Sequence, residues 1–430
     1  MVAALLSFVA LFILLFLGLP ISYGLGLVGF VGFAIVVGLA PAAKMVAQVT
    51  VDTADGYELL VLPLFVLMGS LVSQARLSDK LYAFSNALVG HRRGGLAMAT
   101  VIACGGFAAI CGSSLATAAT MAKIAMPPMR KYGYADSLAT ASIAAGGTLG
   151  ILIPPSIIMV IYGVMTETNI GKLFVAGILP GILGILLYIV AVAITVRLRP
   201  DFGPPGETTT VRQKFEALKG IWGVAALFLV VMGGIYGGVF TPTEAAGIGA
   251  TGAFFIAVLG GNCNFSQLFA VLLDTARTTA MLIFLVIAAV VFSNLVVVTN
   301  APNYMVSWIH SLELSPVMVM FVIVGIYVLL GCVFESLAMM LVTVPLFYPI
   351  VQSLGYDLIW FGVIIVVVIE ISMITPPIGV NVFVLKSALP EISMQTIFRG
   401  LIPFILIDFV RVSILVLFPG FVMFLPSLMK

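Results

Sequence analysis

Two proline pairs interrupt otherwise apolar stretches of this sequence: GTLGILIPPS at residues 147–156 and SMITPPIGVN at residues 372–381. A proline pair inside a helix kinks or breaks it, because proline lacks the backbone N–H and its ring clashes with the preceding turn. Each stretch therefore predicts a helix that breaks and unwinds. Inside a membrane such a break leaves carbonyl oxygens and a positive helix end unpaired, which is costly unless they meet an ion or a carboxylate.

The composition indicates that these breaks lie within a membrane. Of 430 residues, 62% are hydrophobic and 8% are charged, and the mean hydropathy is +1.26. A soluble fold needs more charge to cover its surface. Alternating strand patterns are absent, so we expect helices, which satisfy their own backbone groups in lipid. The apolar N-terminal run lacks a basic start and exceeds signal length, which predicts a retained first helix.

Landmarks of the sequence recur 222 positions later. Ser114-Leu115-Ala116 returns as Ser336-Leu337-Ala338, and Pro154-Pro155 returns as Pro376-Pro377. The same separation relates Leu19-Pro20 to Thr241-Pro242, Asp52-Thr53-Ala54 to Asp274-Thr275-Ala276, and Gly133-Tyr134 to Gly355-Tyr356. With the polar stretch 197–219 as linker, we predict two repeats, residues 1–210 and 211–430.

Apolar runs predict five spans in each repeat. They lie near residues 3–19, 21–39, 58–76, 135–166 and 170–198, and near 220–240, 244–261, 267–298, 358–388 and 395–424. The stretches at about 95–129 and about 316–352 predict re-entrant hairpins, the first interrupted at residues 111–114. An odd number of crossings inverts the second repeat. The predicted fold is an all-α polytopic membrane protein with two inverted-topology repeats, each with a re-entrant hairpin and a broken helix.

Basic residues predict the orientation, because Lys and Arg gather on the cytoplasmic side. One predicted side carries Arg76, Lys80, Arg92, Arg93, Arg130, Lys131, Arg197, Arg199, Arg212, Lys214 and Lys219. The other carries little beyond Lys44, Lys172 and Lys430. We therefore expect both termini outside. Segments 77–88 and 303–312 are too polar to cross and predict amphipathic helices at the interface.

Small and hydroxyl residues gather at the predicted hairpin tips and at the proline breaks. The first repeat has Gly112, Ser113, Ser114 and Thr117 beside the break at 147–156, and the second has Glu335-Ser336 beside the break at 372–381. Such oxygen ligands suit Na⁺. The alternative is that Gly and Ser only permit close packing and that prolines only kink helices. The duplicated arrangement favours a site, because packing does not require it twice.

Other titratable residues suggest narrower roles. For Glu335 and Glu370 we favour ion-site or gating roles, since intramembrane carboxylates are expensive. Asp408 and Arg411 are one turn apart and predict a structural ion pair, and Glu244 predicts a helix cap. The cysteines (Cys104, Cys111, Cys263 and Cys332) predict inert small core residues without metal spacing.

Four motifs together carry a family resemblance. They are ICGSSLAT at residues 110–117, MPPMRKYGY at 126–134, GTLGILIPPS at 147–156 and TPTEAA at 241–246. With them, essentially the whole chain resembles the large membrane subunit of a tripartite ATP-independent periplasmic (TRAP) transporter. The resemblance implies Na⁺-driven import of an organic-acid anion, such as a C4-dicarboxylate, sialic acid or a keto acid, across the bacterial inner membrane. It also implies an elevator mechanism, in which a transport domain moves against a scaffold, together with a small four-helix membrane subunit and a periplasmic substrate-binding protein.

The same resemblance implies the site residues. Na⁺ sites are expected among Gly112, Ser113, Ser114, Thr148, Gly150, Pro154, Glu335, Ser336, Thr375, Pro376 and Gly379. Substrate is expected between the tips, at Ser114, Thr117, Pro155, Ser156, Ser336, Pro377 and Asn381. We expect no catalytic residue and no cofactor other than the coupling Na⁺. We also expect no nucleic-acid partner.

Three other functions remain open from sequence. A Na⁺/anion symporter could use similar inverted repeats without a binding protein, and duplicated re-entrant loops also permit a channel. An intramembrane hydrolase using Ser113 or Ser114 would need a nearby general base, and Lys123 is the only lysine near that hairpin. ATP hydrolysis is not expected, because no phosphate-binding Gly-Lys-Ser/Thr loop is present.

Overall fold

A computed structural model of the protein describes residues 2–261, 263–331 and 334–429. Within these ranges the chain forms helices and no β-strand, which confirms the all-α prediction. Cys332 and Lys430, which entered the predictions above, lie outside the described residues.

The first half is a series of helices with short connections. They are α1 (Val2–Phe16), α2 (Ile21–Val37), α3 (Leu39–Asp55), α4 (Val61–Gln74), α5 (Leu77–Val89), α6 (Gly95–Cys111), α7 (Ser114–Lys131), α8 (Asp136–Thr148), α9 (Ile157–Thr166) and α10 (Ile170–Leu198). Short 3₁₀ helices occupy Tyr57–Leu60, Leu149–Ile151 and Pro200–Phe202.

The second half follows a related order. Its helices are α11 (Val211–Gly220), α12 (Trp222–Tyr236), α13 (Pro242–Leu259), α14 (Phe265–Val298), α15 (Ala301–Ser311), α16 (Pro316–Gly331), α17 (Ser336–Ser353), α18 (Leu358–Ser372), α19 (Val380–Ala388), α20 (Met394–Leu417) and α21 (Pro419–Ser427). Helix α17 begins 222 residues after α7, and α18 begins 222 residues after α8. The opposite orientation of the halves stays a prediction.

Six helical segments in the described part of the chain are long and apolar enough to cross a membrane: Tyr57–Gln74, α10, α13, α14, α17 and α20. Helices α11 and α12, taken together, are long and apolar enough to form a seventh span, with a bend of 53° between them. The spans predicted at 3–19 and 21–39 form shorter helices, of 15 and 17 residues. Gly18 and Gly38 follow them with φ of +85° and +117°, which interrupts the helical path.

Helix α3 was absent from the predicted spans, because Lys44, Asp52 and Asp55 lower the hydropathy of its segment. It contacts α2 and α14, and Ala42 is its one buried residue. The turn at Gly56 separates α3 from α4, whereas α14 runs unbroken for 34 residues. The polar segments predicted at 77–88 and 303–312 form the helices α5 and α15.

The core lies along the first arms of the two broken helices. Every residue of α8 from Leu138 to Thr148 is buried, as is every residue of α18 from Trp360 to Ser372. Helices α10 and α20 pack against both arms. The breaks at the ends of α8 and α18 are thus positioned by the best-packed part of the molecule.

Candidate functional site

The first hairpin turns at Gly112 and Ser113, between α6 and α7, within the interruption predicted at residues 111–114. Gly112 has φ of +64°, a conformation that side chains with a Cβ rarely adopt. Ser113 is the N-cap of α7, and its Oγ accepts a hydrogen bond from the N–H of Ala116 at 3.4 Å. Thr117 donates from Oγ1 to the carbonyl of Ser113 at 2.7 Å.

The first break begins where α8 passes into the 3₁₀ turn at Leu149–Ile151. The bond between Pro154 and Pro155 is cis, and Ser156 then caps α9. Its Oγ donates to the carbonyl of Ile151 at 2.5 Å and accepts from the N–H of Met159 at 3.3 Å. Pro154, Pro155 and Ser156 come from the predicted site, as does Gly150 within the turn. The break lies at the proline pair, as predicted.

The tip and the break are in direct contact. Ser114 Oγ donates to the carbonyl of Thr148 at 3.1 Å. A Cβ on Gly150 would lie 2.7 Å from the carbonyl oxygen of Ser113, closer than van der Waals contact permits. The structure therefore brings Ser113, Ser114, Thr148 and Gly150 together, and the approach requires glycine at 150.

The second tip and break are more open. Glu335 caps α17 and accepts from the N–H of Ala338 at 3.3 Å, and Ser336 begins that helix. Thr375 donates to the carbonyl of Ile371 at 2.6 Å. A cis bond joins Pro376 to Pro377, and both prolines are exposed, whereas Pro154 and Pro155 are buried. Gly379, with φ of +58°, precedes α19.

Glu335 shares a cavity of about 410 Å³ with Ile378 of the second break, and Leu15 and Phe16 form its apolar wall. Hairpin and break also meet where a Cβ on Gly331 would lie 2.0 Å from Cβ of Ser372. The structure records no direct hydrogen bond from Ser336 to the second break within the described residues.

Asn381 links the second break to the helix that leads into the first break. Its Nδ2 donates to the carbonyl of Ala144 in α8 at 3.1 Å, and its N–H donates to the carbonyl of Met373 at 3.1 Å. The side chain is fully buried, yet its Oδ1 has no hydrogen-bond partner among the described residues. A buried amide oxygen without a donor is a ready ligand for a cation or a polar substrate.

A cavity of about 590 Å³ faces the first tip. Cys111, Ser113 and Ile157 line one side, and polar side chains of α4 and α14, including Ser73 and Asp274, line the other. Sequence reasoning missed Asp274 as a site residue and used it only as a repeat landmark. The available signal was an acid inside a long apolar helix.

Behind the first break lies a buried ion cluster. Arg411 Nη2 is 3.0 Å from Asp408 Oδ1, which confirms the predicted pair, and 2.6 Å from Glu370 Oε2. All three side chains are fully buried. Tyr188 donates to Asp408 at 2.8 Å and lies 3.3 Å from the hydroxyl of Thr148, which connects the cluster to the first break.

These contacts revise the expectations for the acids. The carboxylate of Glu370, for which we favoured an ion-site or gating role, is held by Arg411 on the adjacent helix α20. Glu244 forms the predicted cap, in a reciprocal capping box with Thr241. The hydroxyl of Ser114 donates to a backbone carbonyl and not to a general base, which disfavours a hydrolase that uses Ser114 as its nucleophile.

Comparisons with known proteins agree with a transport protein. The sequence profile of the tripartite ATP-independent periplasmic transporter family, DctM component, matches residues 8–421. A C4-dicarboxylate TRAP transporter large permease protein of Pseudomonas aeruginosa is 38% identical, over 87% of this chain and 88% of the relative. A sialic acid TRAP transporter large permease protein of Vibrio cholerae is 32% identical, over 96% of each chain.

A solved structure shares the fold. The YdaH transporter of Alcanivorax borkumensis superposes with a TM-score of 0.62 at 17% identity, covering 89% of each chain. Fold and relatives define a polytopic membrane transport protein and not an enzyme. Within that class, the chain belongs to the tripartite ATP-independent periplasmic transporter family, as its large permease component.

Proposed function

We propose that this chain is the permease of a Na⁺-coupled importer of an organic-acid anion, working with a periplasmic substrate-binding protein and a small four-helix membrane subunit in the bacterial inner membrane. The observation that carries the anion site is the meeting of two helix N-termini. Helices α7 and α9 begin at Ser114 and Ile157, and a Cβ on Gly112 would lie 2.7 Å from the carbonyl of Pro155. The paired N-termini border the 590 Å³ cavity, where their N–H groups and dipoles favour a carboxylate.

The cation sites use the oxygens around these helix ends. In the first half we assign Na⁺ to the carbonyls and hydroxyls of the tip and break, centred on Ser113, Ser114 and Thr148. In the second half we assign it to the carboxylate of Glu335 and to the oxygens of the second break, Thr375 included. The unpartnered Oδ1 of Asn381 supports a polar ligand beside that break. Na⁺ at both tips would then close the hairpins around the anion.

The packing supports a division into two moving parts. Helix α4 packs on α13 and α14, and α14 packs on α2, so that these four helices form the proposed scaffold. The hairpins and broken helices pack around α10 and α20 and form the proposed transport domain. The 590 Å³ cavity lies between these groups, so sliding one against the other would carry its contents across the membrane.

Uptake into proteoliposomes tests the function. The permease, the small subunit and the cognate binding protein would be supplied with C4-dicarboxylates, sialic acid and keto acids, with and without an inward Na⁺ gradient. We expect accumulation of one acid class only with Na⁺ and only with binding protein. Full uptake without binding protein would establish the alternative, a symporter that works alone. Uptake indifferent to Na⁺ would refute the coupling.

A further inference from the structure

A second polar groove lies far from the hairpin tips, where α8, α10 and α20 meet at their ends. It has a volume of about 430 Å³. Two guanidinium groups line it, from Arg199 after the end of α10 and Arg399 in the second turn of α20, together with the hydroxyl residues Ser137, Thr195 and Thr396. None of these residues takes part in the proposed transport site.

The groove keeps its positive charge. Of the acids close to it in sequence, Asp136 and Glu391 both pair with Arg130, the first at 3.8 Å, and Asp201, which precedes Phe202, is exposed. Hydrogen bonds from its own backbone N–H and from Arg130 lower the pKa of Glu391. Among the described residues, neither Arg199 nor Arg399 has a carboxylate within 4.0 Å. The guanidinium of Arg199 lies 5.1 Å from the ring centre of Phe202, which holds it at the groove.

Exposed apolar side chains flank the two arginines. Leu198 is 77% exposed and Ile402 is 54% exposed, and both line the groove. They belong to α10 and α20, two helices of membrane-spanning length. Cationic groups at the ends of such helices lie at the depth of the phosphate headgroups. The apolar residues beside them lie at the depth where the acyl chains begin.

We propose that this groove binds an anionic phospholipid, with its phosphate between Arg199 and Arg399 and an acyl chain along Leu198 and Ile402. Guanidinium groups recognise phosphate through paired charge-assisted hydrogen bonds, and the hydroxyl of Ser137 supplies a further donor. A free phosphate would use the arginines but would leave the apolar flank exposed. The arginines bind the charged headgroup and the apolar side chains bind the acyl chain, so the groove favours a phospholipid over free phosphate.

Thermal unfolding of the purified chain in neutral detergent tests this site. Titration with phosphatidylglycerol should raise the unfolding midpoint of the wild type, because a ligand of the folded state stabilises it. Phosphatidylcholine and inorganic phosphate should raise it by less than half as much. The double variant Arg199→Gln/Arg399→Gln should lose most of the shift. Arg92→Gln/Arg93→Gln, which removes two exposed arginines outside the groove, should keep it.

Equal shifts with phosphatidylcholine, or an undiminished shift in the groove variant, would overturn the proposal. An equal shift with inorganic phosphate would overturn the choice of a lipid. Should the double variant misfold, photoactivatable phosphatidylglycerol on the wild-type chain decides the question. Adducts are expected within residues 195–202 and 396–403, and adducts elsewhere only would contradict the site.

Discussion

Arg411 holds Glu370 at 2.6 Å across the contact between α20 and α18, with both side chains fully buried. The same guanidinium contacts Asp408, so two carboxylates share one cation. Through Tyr188 this cluster reaches Thr148, whose carbonyl accepts the hydroxyl of Ser114. The first hairpin tip is thereby joined to the arm of the second broken helix through one continuous polar chain.

Replacing Arg411 by Met should strongly destabilise the fold. The change leaves two buried carboxylates without their cation, a loss of about 3–5 kcal/mol for a broken buried pair. Thermal unfolding in detergent measures it, with Arg212→Met as control, because Arg212 is exposed and pairs with the exposed Glu216. Equal midpoints for the two variants would show that the cluster contributes nothing to stability.

Ser114→Ala and Glu335→Gln should weaken Na⁺ dependence, since each removes an oxygen ligand or a charge from a proposed site. We expect the Na⁺ concentration for half-maximal uptake to rise at least about tenfold, equivalent to about 1.4 kcal/mol. Ser85→Ala is the control, because that buried hydroxyl donates to its own helix at Leu81. Wild-type Na⁺ dependence in both site variants would mean that the assigned sites are wrong.

Gly150→Ala should abolish uptake at normal expression. Its Cβ would meet the Ser113 carbonyl at 2.7 Å and separate the first tip from the first break. Gly233→Ala is the matched control, because a Cβ there meets nothing within 4 Å and the residue is helical. Initial uptake rates compare the two, and retained activity in Gly150→Ala would argue against the tight approach.

Asn381→Leu should reduce uptake strongly while it reduces the free energy of unfolding only slightly. The substitution removes a buried oxygen that has no partner, so its cost in stability should be small, about 1–2 kcal/mol for the lost bond to Ala144. Uptake should nevertheless fall at least about tenfold, or 1.4 kcal/mol, if that oxygen binds a transported species. Asn294→Leu, whose amide donates within α14 to Val290, is the control. Unchanged uptake would remove Asn381 from the site.

Cys111 should be protected from alkylation by the transported acid. It is half-buried and lines the 590 Å³ cavity, in contrast to the inert core role predicted from sequence, whereas Cys104 is fully buried. Cys263, half-buried before α14, provides an internal control. Peptide mass spectrometry after timed labelling should show slower modification at Cys111 alone. Equal slowing at both cysteines would indicate a general change in shape.

The breaks were predictable from sequence because their causes are local. The proline pairs at 154–155 and 376–377 and the glycine at 112 interrupt their helices locally, and the Asp408–Arg411 pair follows from a spacing of one turn. The pair Pro127-Pro128 stays inside α7. The contact of Glu370 with Arg411 spans 41 positions, and that of Asn381 with Ala144 spans 237. No single-sequence pattern encodes such pairings, because helix packing creates them.

The unbroken length of α14 exceeds a single crossing of the hydrocarbon layer. Its 34 residues extend ~51 Å at 1.5 Å per residue, whereas ~20 residues cross the ~30 Å hydrocarbon layer. Counted back from Val298, such a crossing ends at about residue 279. Gln267, Asp274 and Thr278, which form the cavity wall on α14, all precede that point. The cavity wall on α14 therefore belongs to the N-terminal part of the helix, the length that exceeds one crossing counted back from Val298.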